Sequence, residues 1–333
     1  MHSPSRRDVL QTAAMAAFTL PAPAQRDSAN GLPTRALGRT GEQVSILGLG
    51  GAHVGRVGQK DRKEAIRMMH AAIDGGMTFF DNAWDYHDGW GEEMMGLGLE
   101  GGHRNRVFLM TKNCAPDYEG SRKCLEDSLR RLKTGRIDLW QFHEMNYDND
   151  PDWVFEKGGL KFAREAVKAG KVRYIGFTGH KDPRIHVKML NKPFPWAGAQ
   201  MPINVMDAFY RSFQNEAVPL CLKKGTGVIG MKSLGGGQVQ ARIPSKTAIT
   251  AEQCVRFALS LPISVLVRGY MTMDQIEGDL KIARGFKPLT DAEKKEILAL
   301  ARPEAEDGRH ELFKSTQVFD GAPHRKLHGF ELA

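Results

Sequence analysis

From residue 44 onward, short and nearly continuous apolar runs alternate with longer stretches whose apolar residues recur every three or four positions. The runs at 44–50, 77–82, 107–112, 137–143, 172–177, 197–202, 227–231 and 264–267 predict eight strands. Their hydrophobicity is unbroken rather than alternating, as a strand needs when both faces are covered in a parallel sheet. Helical spacing predicts helices over 61–73, 92–99, 121–132, 160–169, 183–190, 212–224, 251–259 and 274–284. Eight strand–helix units in one chain predict an α/β fold, a closed (β/α)8 TIM barrel. Asp74-Gly75-Gly76 ends the first helix, and Gly170 marks the entry to the fifth strand. The turn signal Arg39-Thr40-Gly41 predicts an N-terminal β-hairpin across the barrel floor. Residues 291–301 predict one more helix, followed by an irregular C-terminal extension expected to line the substrate pocket.

Of the 333 residues, the first 24 differ in character. Ser5-Arg6-Arg7, a short mild apolar stretch and Ala22-Pro23-Ala24 have the layout of a twin-arginine export signal with cleavage after Ala24. The apolar stretch is too short to span a bilayer, so no integral membrane segment is expected in the mature chain. The chain is thus expected to pass through the twin-arginine export machinery to the periplasm, with a cytoplasmic tail as the alternative. The expected division is signal 1–24, short linker 25–34, barrel 35–290, and C-terminal helix and tail 291–333. Net charge is +8, but the basic residues are dispersed and form no block interleaved with aromatics. Nucleic acid is therefore excluded as a partner. Cys114, Cys124, Cys221 and Cys254 form no CxxC pair, so a zinc or iron–sulfur signature is missing and no metal is expected.

Four polar residues stand where consecutive apolar runs stop: Asp81 and Tyr86 in TFFDNAWDY, Lys112 in VFLMTK, and His143 in IDLWQFH. In a parallel barrel those strand ends gather on one rim, where active sites lie. A phenol is a poor acid at neutral pH, and a nearby ammonium is expected to lower its pKa. Lys112 can play that part, with Asp81 holding it. His143 can donate a hydrogen bond to an oxygen that gains negative charge. Together these groups can polarise a carbonyl and protonate it. No side chain supplies hydride, so a cofactor is required. A metal-dependent barrel hydrolase is disfavoured, because HxH grouping is absent and Lys112 would sit beside the cation.

With these blocks in view, the chain resembles the aldo-keto reductase family over about residues 35–285. RALGRTGEQVSILGLGG is similar to the opening hairpin and first strand, and FFDNAWDY with GEEMMG to the Asp–Tyr block. MTK matches the lysine, and Asp138, Leu139 and His143 match the histidine block. The resemblance implies that Asp81, Tyr86, Lys112 and His143 form a catalytic tetrad. It also implies a small-molecule carbonyl substrate and a nicotinamide cofactor laid across the barrel mouth, NADPH by the family's habit and NADH as the alternative. Gly51 and Ala52 after the first strand are then cofactor neighbours rather than part of a Rossmann fingerprint.

Several cofactor positions depart from the family pattern. Gln200 stands where a glutamine holds the carboxamide, but Gly179-His180 replaces a Ser-Asn pair. Met231, Lys232, Ser233 and Leu234 stand in for an aromatic followed by Ser-Pro-Leu, and the run 235–237 allows close backbone approach. Gly269, Met271, Gln275 and Asp279 occupy the adenosine-phosphate end, where Asp279 disfavours a 2′-phosphate unless Arg268 compensates. Trp84, His87, Trp90, Phe142, Met145 and Tyr147 flank the catalytic blocks and are expected to form an aromatic and apolar substrate rim, some of them serving packing instead; 146–159 reads either as a lid or as an ordered surface loop with no role. These departures keep open an alternative, a cofactor-binding barrel with a regulatory or lost catalytic role.

Overall fold

In a computed structural model of the chain, residues 24–26, 31–236 and 242–332 are described. All of the expected export signal except Ala24 lies outside these residues, as do 27–30 of the linker and Gly237.

An antiparallel hairpin, β1 (Thr34–Ala36) with β2 (Gln43–Ser45), leads into a closed barrel of parallel strands. The barrel strands are β3 (Leu47–Gly50), β4 (Phe79–Asp81), β5 (Phe108–Asn113), β6 (Ile137–Phe142), β7 (Val172–Thr178), β8 (Gly198–Pro202), β9 (Gly227–Met231) and β10 (Val265–Arg268). Strand β10 closes against β3. Helices α1 (Gly51–Lys60), α2 (Arg62–Asp74), α3 (Trp90–Gly98), α4 (Tyr118–Arg131), α5 (Asp150–Glu156) and α6 (Gly159–Lys168) cover the first half. Helices α7 (Pro183–Asn191), α8 (Phe213–Lys224), α9 (Ala251–Ser260) and α10 (Met273–Arg284) cover the second. The chain ends in α11 (Asp291–Ala305), α12 (Leu312–Ser315) and α13 (Ala322–Leu327). This is the (β/α)8 barrel with the expected floor hairpin.

The hairpin seals the barrel by burial. Leu37 and Val44 join Phe79, Phe108, Leu139 and Ile229 in one closed apolar cluster. Burying side chains of this size stabilises by about 1.5–3 kcal/mol each. Gly38, at φ +52, allows the turn to meet the start of β9, since a Cβ there would lie 2.4 Å from Gly227 N. Arg35, fully buried, fastens the hairpin by donating to the carbonyls of Ile263 at 2.9 Å and Leu259 at 2.8 Å.

Three elements differ from the sequence-based expectation. The first run, 44–50, divides into the end of β2 and the whole of β3, because Ser45 turns inward to exchange hydrogen bonds with Thr78. Helix α1 was not expected, since Gly51, Gly55 and Gly58 lower helix propensity. Its glycines instead permit close packing on α3: a Cβ on Gly58 would lie 2.5 Å from Met94 Sδ. The tail after residue 301 is not irregular, because α11 continues to Ala305 and two short helices fold back over the barrel mouth. At the other end, Leu32 is fully buried and Arg26 pairs with Thr34, so these parts of the expected linker pack on the barrel.

Candidate active site at the barrel rim

Asp81 is the last residue of β4, Lys112 lies near the end of β5, and His143 follows β6. The parallel register places these ends side by side, with Asp81 opposite Met110 and Lys112 opposite Gln141. Tyr86 reaches the same point through a tight loop, where His87 and Asp88 have φ of 54 and 56. Asn82 closes that loop by donating to the Gly91 carbonyl at 2.8 Å. Fully buried Glu92, from the GEEMMG block, accepts from Thr111 and Ser128 at 2.6 Å each and pairs with Arg131 at 3.3 Å. Arg131 in turn donates to Trp84 O at 2.9 Å, so the tyrosine loop is fixed to β5 and α4. The importance of Glu92 was missed in the sequence, where a helix-face carboxylate looks solvated.

Lys112 is 1% exposed. Its ammonium pairs with Asp81, donates to Asn82 O at 2.6 Å and reaches the Tyr86 hydroxyl at 3.2 Å. The other Asp81 oxygen accepts from Gln200 Nε2 at 3.0 Å. The Tyr86 and His143 rings meet edge to face at 5.9 Å. All four rim residues expected from the sequence, with Gln200, are thus one connected group.

The electrostatics correct one expectation. The Tyr86 hydroxyl is not made more acidic: burial pushes its pKa well above the usual value, and Asp81, Asp85 and Glu144 push the same way. The Lys112 charge is matched by Asp81, leaving Tyr86 a protonated phenol in this state. Asp85 is a further group that sequence reading passed over. Its Oδ1 lies 3.2 Å from His143 Nδ1, with Cys114 Sγ 3.4 Å from the same nitrogen. Burial drives the Asp85 carboxyl up, but the His143 ring outweighs it and brings the value down to about 2. Burial lowers the pKa of His143, and Asp85 opposes that. With its single proton on Nδ1, facing Asp85, His143 offers a lone pair at Nε2. Donation from Nε2 needs the second proton.

The expected cofactor residues divide into groups. Gly51 opens α1, and a Cβ there would meet the Asn82 side chain at 2.7 Å. The Ala52 carbonyl faces His87 Nε2 at 2.6 Å. Gly179 is packed against Met145 O, and His180 is buried under the tail, 3.6 Å from Asp320. His180 thus faces the tail. Gln200 keeps one buried oxygen, Oε1, without a partner. Lys232 has φ +58 and an ammonium 5.3 Å from the Phe313 ring. Met231 and Leu234 are half-buried beside it. Ser233 accepts from Arg268 at 3.1 Å, and Arg268 pairs with Asp279 at 2.7 Å, so the Asp279 charge is neutralised. Gln275 accepts from the Met271 amide at 2.8 Å, shaping the loop after Gly269.

One group here was not expected. The pKa of His53 is lowered to about 4, by burial first and then by the positive charges of Arg242, Arg56, Lys232 and Arg268. These residues come from α1, the end of β9, the following loop and the end of β10, so only the closed barrel brings them together. Arg56, Lys232 and Arg242 add positive charge beside Arg268, whose own charge is matched by Asp279. An unpartnered buried carboxamide oxygen on Gln200 and a cationic patch beyond it fit the two ends of a nicotinamide dinucleotide.

The expected substrate rim is rearranged. Trp84 turns outward to Asp127, while Trp90 and His87 bond to carbonyls of α1. Phe142 and Met145 do line a narrow cleft with His143, Cys114 and Trp153. Its volume, including the part open to solvent, is about 270 Å³. The expected lid at 146–159 contains α5 and is joined to the tail, where Tyr147 donates to Asp320 at 2.6 Å.

The Aldo/keto reductase family profile matches residues 46–254. The chain belongs to the aldo/keto reductase family. Among its relatives, it is 31% identical over 224 residues to the uncharacterized oxidoreductase YrpG of Bacillus subtilis, covering 60% of this chain and 66% of that protein. It is 28% identical over 253 residues to the 6-dehydroglucose reductase of Novosphingobium aromaticivorans, covering 71% and 80%. The chain thus spans just under two thirds of the first of these relatives. In fold it is similar to the holo form of an aldo-keto reductase from Bacillus halodurans, with TM-score 0.68, 23% identity, and coverage of 84% and 99%. As a member of this family the chain is an oxidoreductase. Among the described residues no helix is long and apolar enough to cross a membrane.

Proposed function

We propose that this aldo/keto reductase reduces aldehyde or ketone carbonyls to alcohols, with NADPH as the hydride source. The observation that carries this reading is the buried chain Asp81–Lys112–Tyr86, ending beneath the His143 ring at the barrel rim. When bound, the nicotinamide supplies hydride. Tyr86 is the protonated acid that hands its proton to the substrate oxygen. Lys112 then stabilises the phenolate, and Asp81 with Gln200 holds Lys112 in place. His143, when doubly protonated, donates from Nε2 to the same oxygen, and Asp85 favours that form. Gln200 Oε1 would accept from the carboxamide, with Gly51, Ala52, Met231, Ser233, Leu234 and Gly269 walling the cofactor. The cations around His53 would hold its phosphates, and the choice of NADPH over NADH follows the family's habit. His180 is left out of the cofactor set.

Delivery to the periplasm by a twin-arginine signal is part of the same proposal, and fractionation of cells expressing the full chain tests it. For the chemistry, the purified protein is titrated with NADPH and NADH and offered a panel of aldehydes and ketones. Tyr86→Phe is expected to retain cofactor binding and lose about 100-fold or more in turnover. Binding without turnover across the panel would favour the regulatory reading instead. No binding of either nucleotide would sink both.

A further inference from the structure

Beyond the catalytic tetrad, one cluster of ligating groups has no part in the chemistry above. Asp150 is the first residue of α5, and its Oδ2 accepts from the backbone amides of Asn146 and Tyr147 at 2.8 Å each. Two imidazoles of the tail descend on the same carboxylate. His324 lies in α13 and His328 follows four residues later, so one helical turn aims both rings the same way. His328 Nε2 lies 2.7 Å from Asp150 Oδ1, and His324 Nε2 lies 3.3 Å from Oδ2. One ligating atom from each residue falls within 4.8 Å of the others.

Hydrogen bonding leaves this arrangement incomplete. Oδ2 already receives two backbone protons, which occupy its lone pairs. His324 Nε2 is consequently buried without a hydrogen-bond partner. A cation resolves this by taking the lone pairs of His324 Nε2, His328 Nε2 and Asp150 Oδ1. The amides on Oδ2 then become the outer support that orients a ligating carboxylate. Two imidazoles and one carboxylate suit zinc and its neighbours, whereas magnesium and calcium want all-oxygen shells. The His328 ring is packed by Tyr147, Trp153 and Phe330, with centroids 4.6, 4.9 and 5.5 Å away, so the site is walled from water. Arg325, between the two histidines in sequence, turns away to the carbonyls of Gln317, Asp320 and Glu331. Asp150 and His324 also line the cleft beside His143.

We propose that Asp150, His324 and His328 bind one divalent transition-metal ion of the zinc class, which pins the C-terminal tail across the barrel mouth. Two ligands come from the tail and one from the barrel, so metal affinity and tail docking are the same free energy. The full-length protein, stripped with a chelator and desalted, is titrated with Co²⁺ and then with Zn²⁺. The expected result is saturation near one equivalent, a visible cobalt ligand-field band, and its displacement by Zn²⁺. His324→Phe and His328→Phe keep an aromatic ring in each place and are expected to weaken binding at least about tenfold, with circular dichroism unchanged. Zn²⁺ is also expected to raise the melting temperature and slow protease cleavage within residues 306–332 of the wild type only. No saturable Co²⁺ binding by the wild type overturns the proposal. So does binding that persists undiminished in the double Phe variant, because the ion would then sit elsewhere.

Discussion

The backbone amide of Gly321 donates to both carboxylate oxygens of Glu144, at 3.0 and 2.9 Å, joining the tail to the residue that follows His143. A Cβ at position 321 would lie 2.7 Å from Asp85 Oδ2 and 3.4 Å from Glu144 Oε2. Gly321→Val must therefore lift the tail or displace Asp85. Overpacking of this kind costs about 1–3 kcal/mol. The expected outcome is faster proteolysis of the tail and weaker substrate binding, with nicotinamide affinity unchanged. Equal protease resistance in the two proteins would show that the tail is not fitted through this contact.

The tail is also held by a fully buried cation. Lys314 pairs with Asp207 at 2.7 Å and Glu311 at 2.9 Å, and all three side chains are at most 1% exposed. Lys314→Met removes the positive charge and leaves two carboxylates facing each other in the interior. Loss of one partner from such a group costs about 3–5 kcal/mol. Urea unfolding followed by tryptophan fluorescence should show a loss of unfolding free energy of that size. A loss below about 1 kcal/mol would mean that the carboxylates simply take up protons.

Reduction should depend on the second proton of His143. Burial lowers its pKa, and Asp85 raises it. Turnover is expected to fall as pH rises through a midpoint below the ordinary histidine value of about 6.5. Asp85→Asn withdraws the supporting charge, so the midpoint should move to still lower pH. An unchanged midpoint in that variant would assign the titration to another group.

The cations around His53 give a cofactor prediction. Arg242 is only partly buried, and burial and the charge of Arg268 lower its pKa. A bound phosphate relieves that repulsion. Arg242→Ala is expected to weaken NADPH about tenfold, since a hydrogen bond to a charged group contributes about 1.5–3 kcal/mol and part is lost to solvent. NADH should change less. Fluorescence titration of both nucleotides checks this, and equal losses would remove Arg242 from 2′-phosphate selection.

Much of the rim was legible in the chain. Asp81, Lys112 and His143 end or follow unbroken apolar runs, and a parallel barrel must bring such ends together. Glu92, Asp85 and His53 were not legible, because their roles depend on neighbours 19 to 215 positions away: Thr111 for Glu92, and Arg268 for His53. For the same reason the sequence does not say that Trp84 and Trp90 are the members of the expected rim that serve packing. Sequence proximity to a catalytic block does not say which side of a loop a ring faces.

The sequence by itself determined the eight strand–helix units, the floor hairpin and the four rim residues. Local hydrophobic period and strand-end position carry that information without reference to distant partners. Only the tertiary structure decided that the tail folds back as helices, that Asp279 is cancelled by Arg268, and that Asp150 meets His324 and His328. Those contacts join segments 11 to 178 residues apart. Buried charge is tolerated only where such partners converge, and no local pattern in the chain records that convergence.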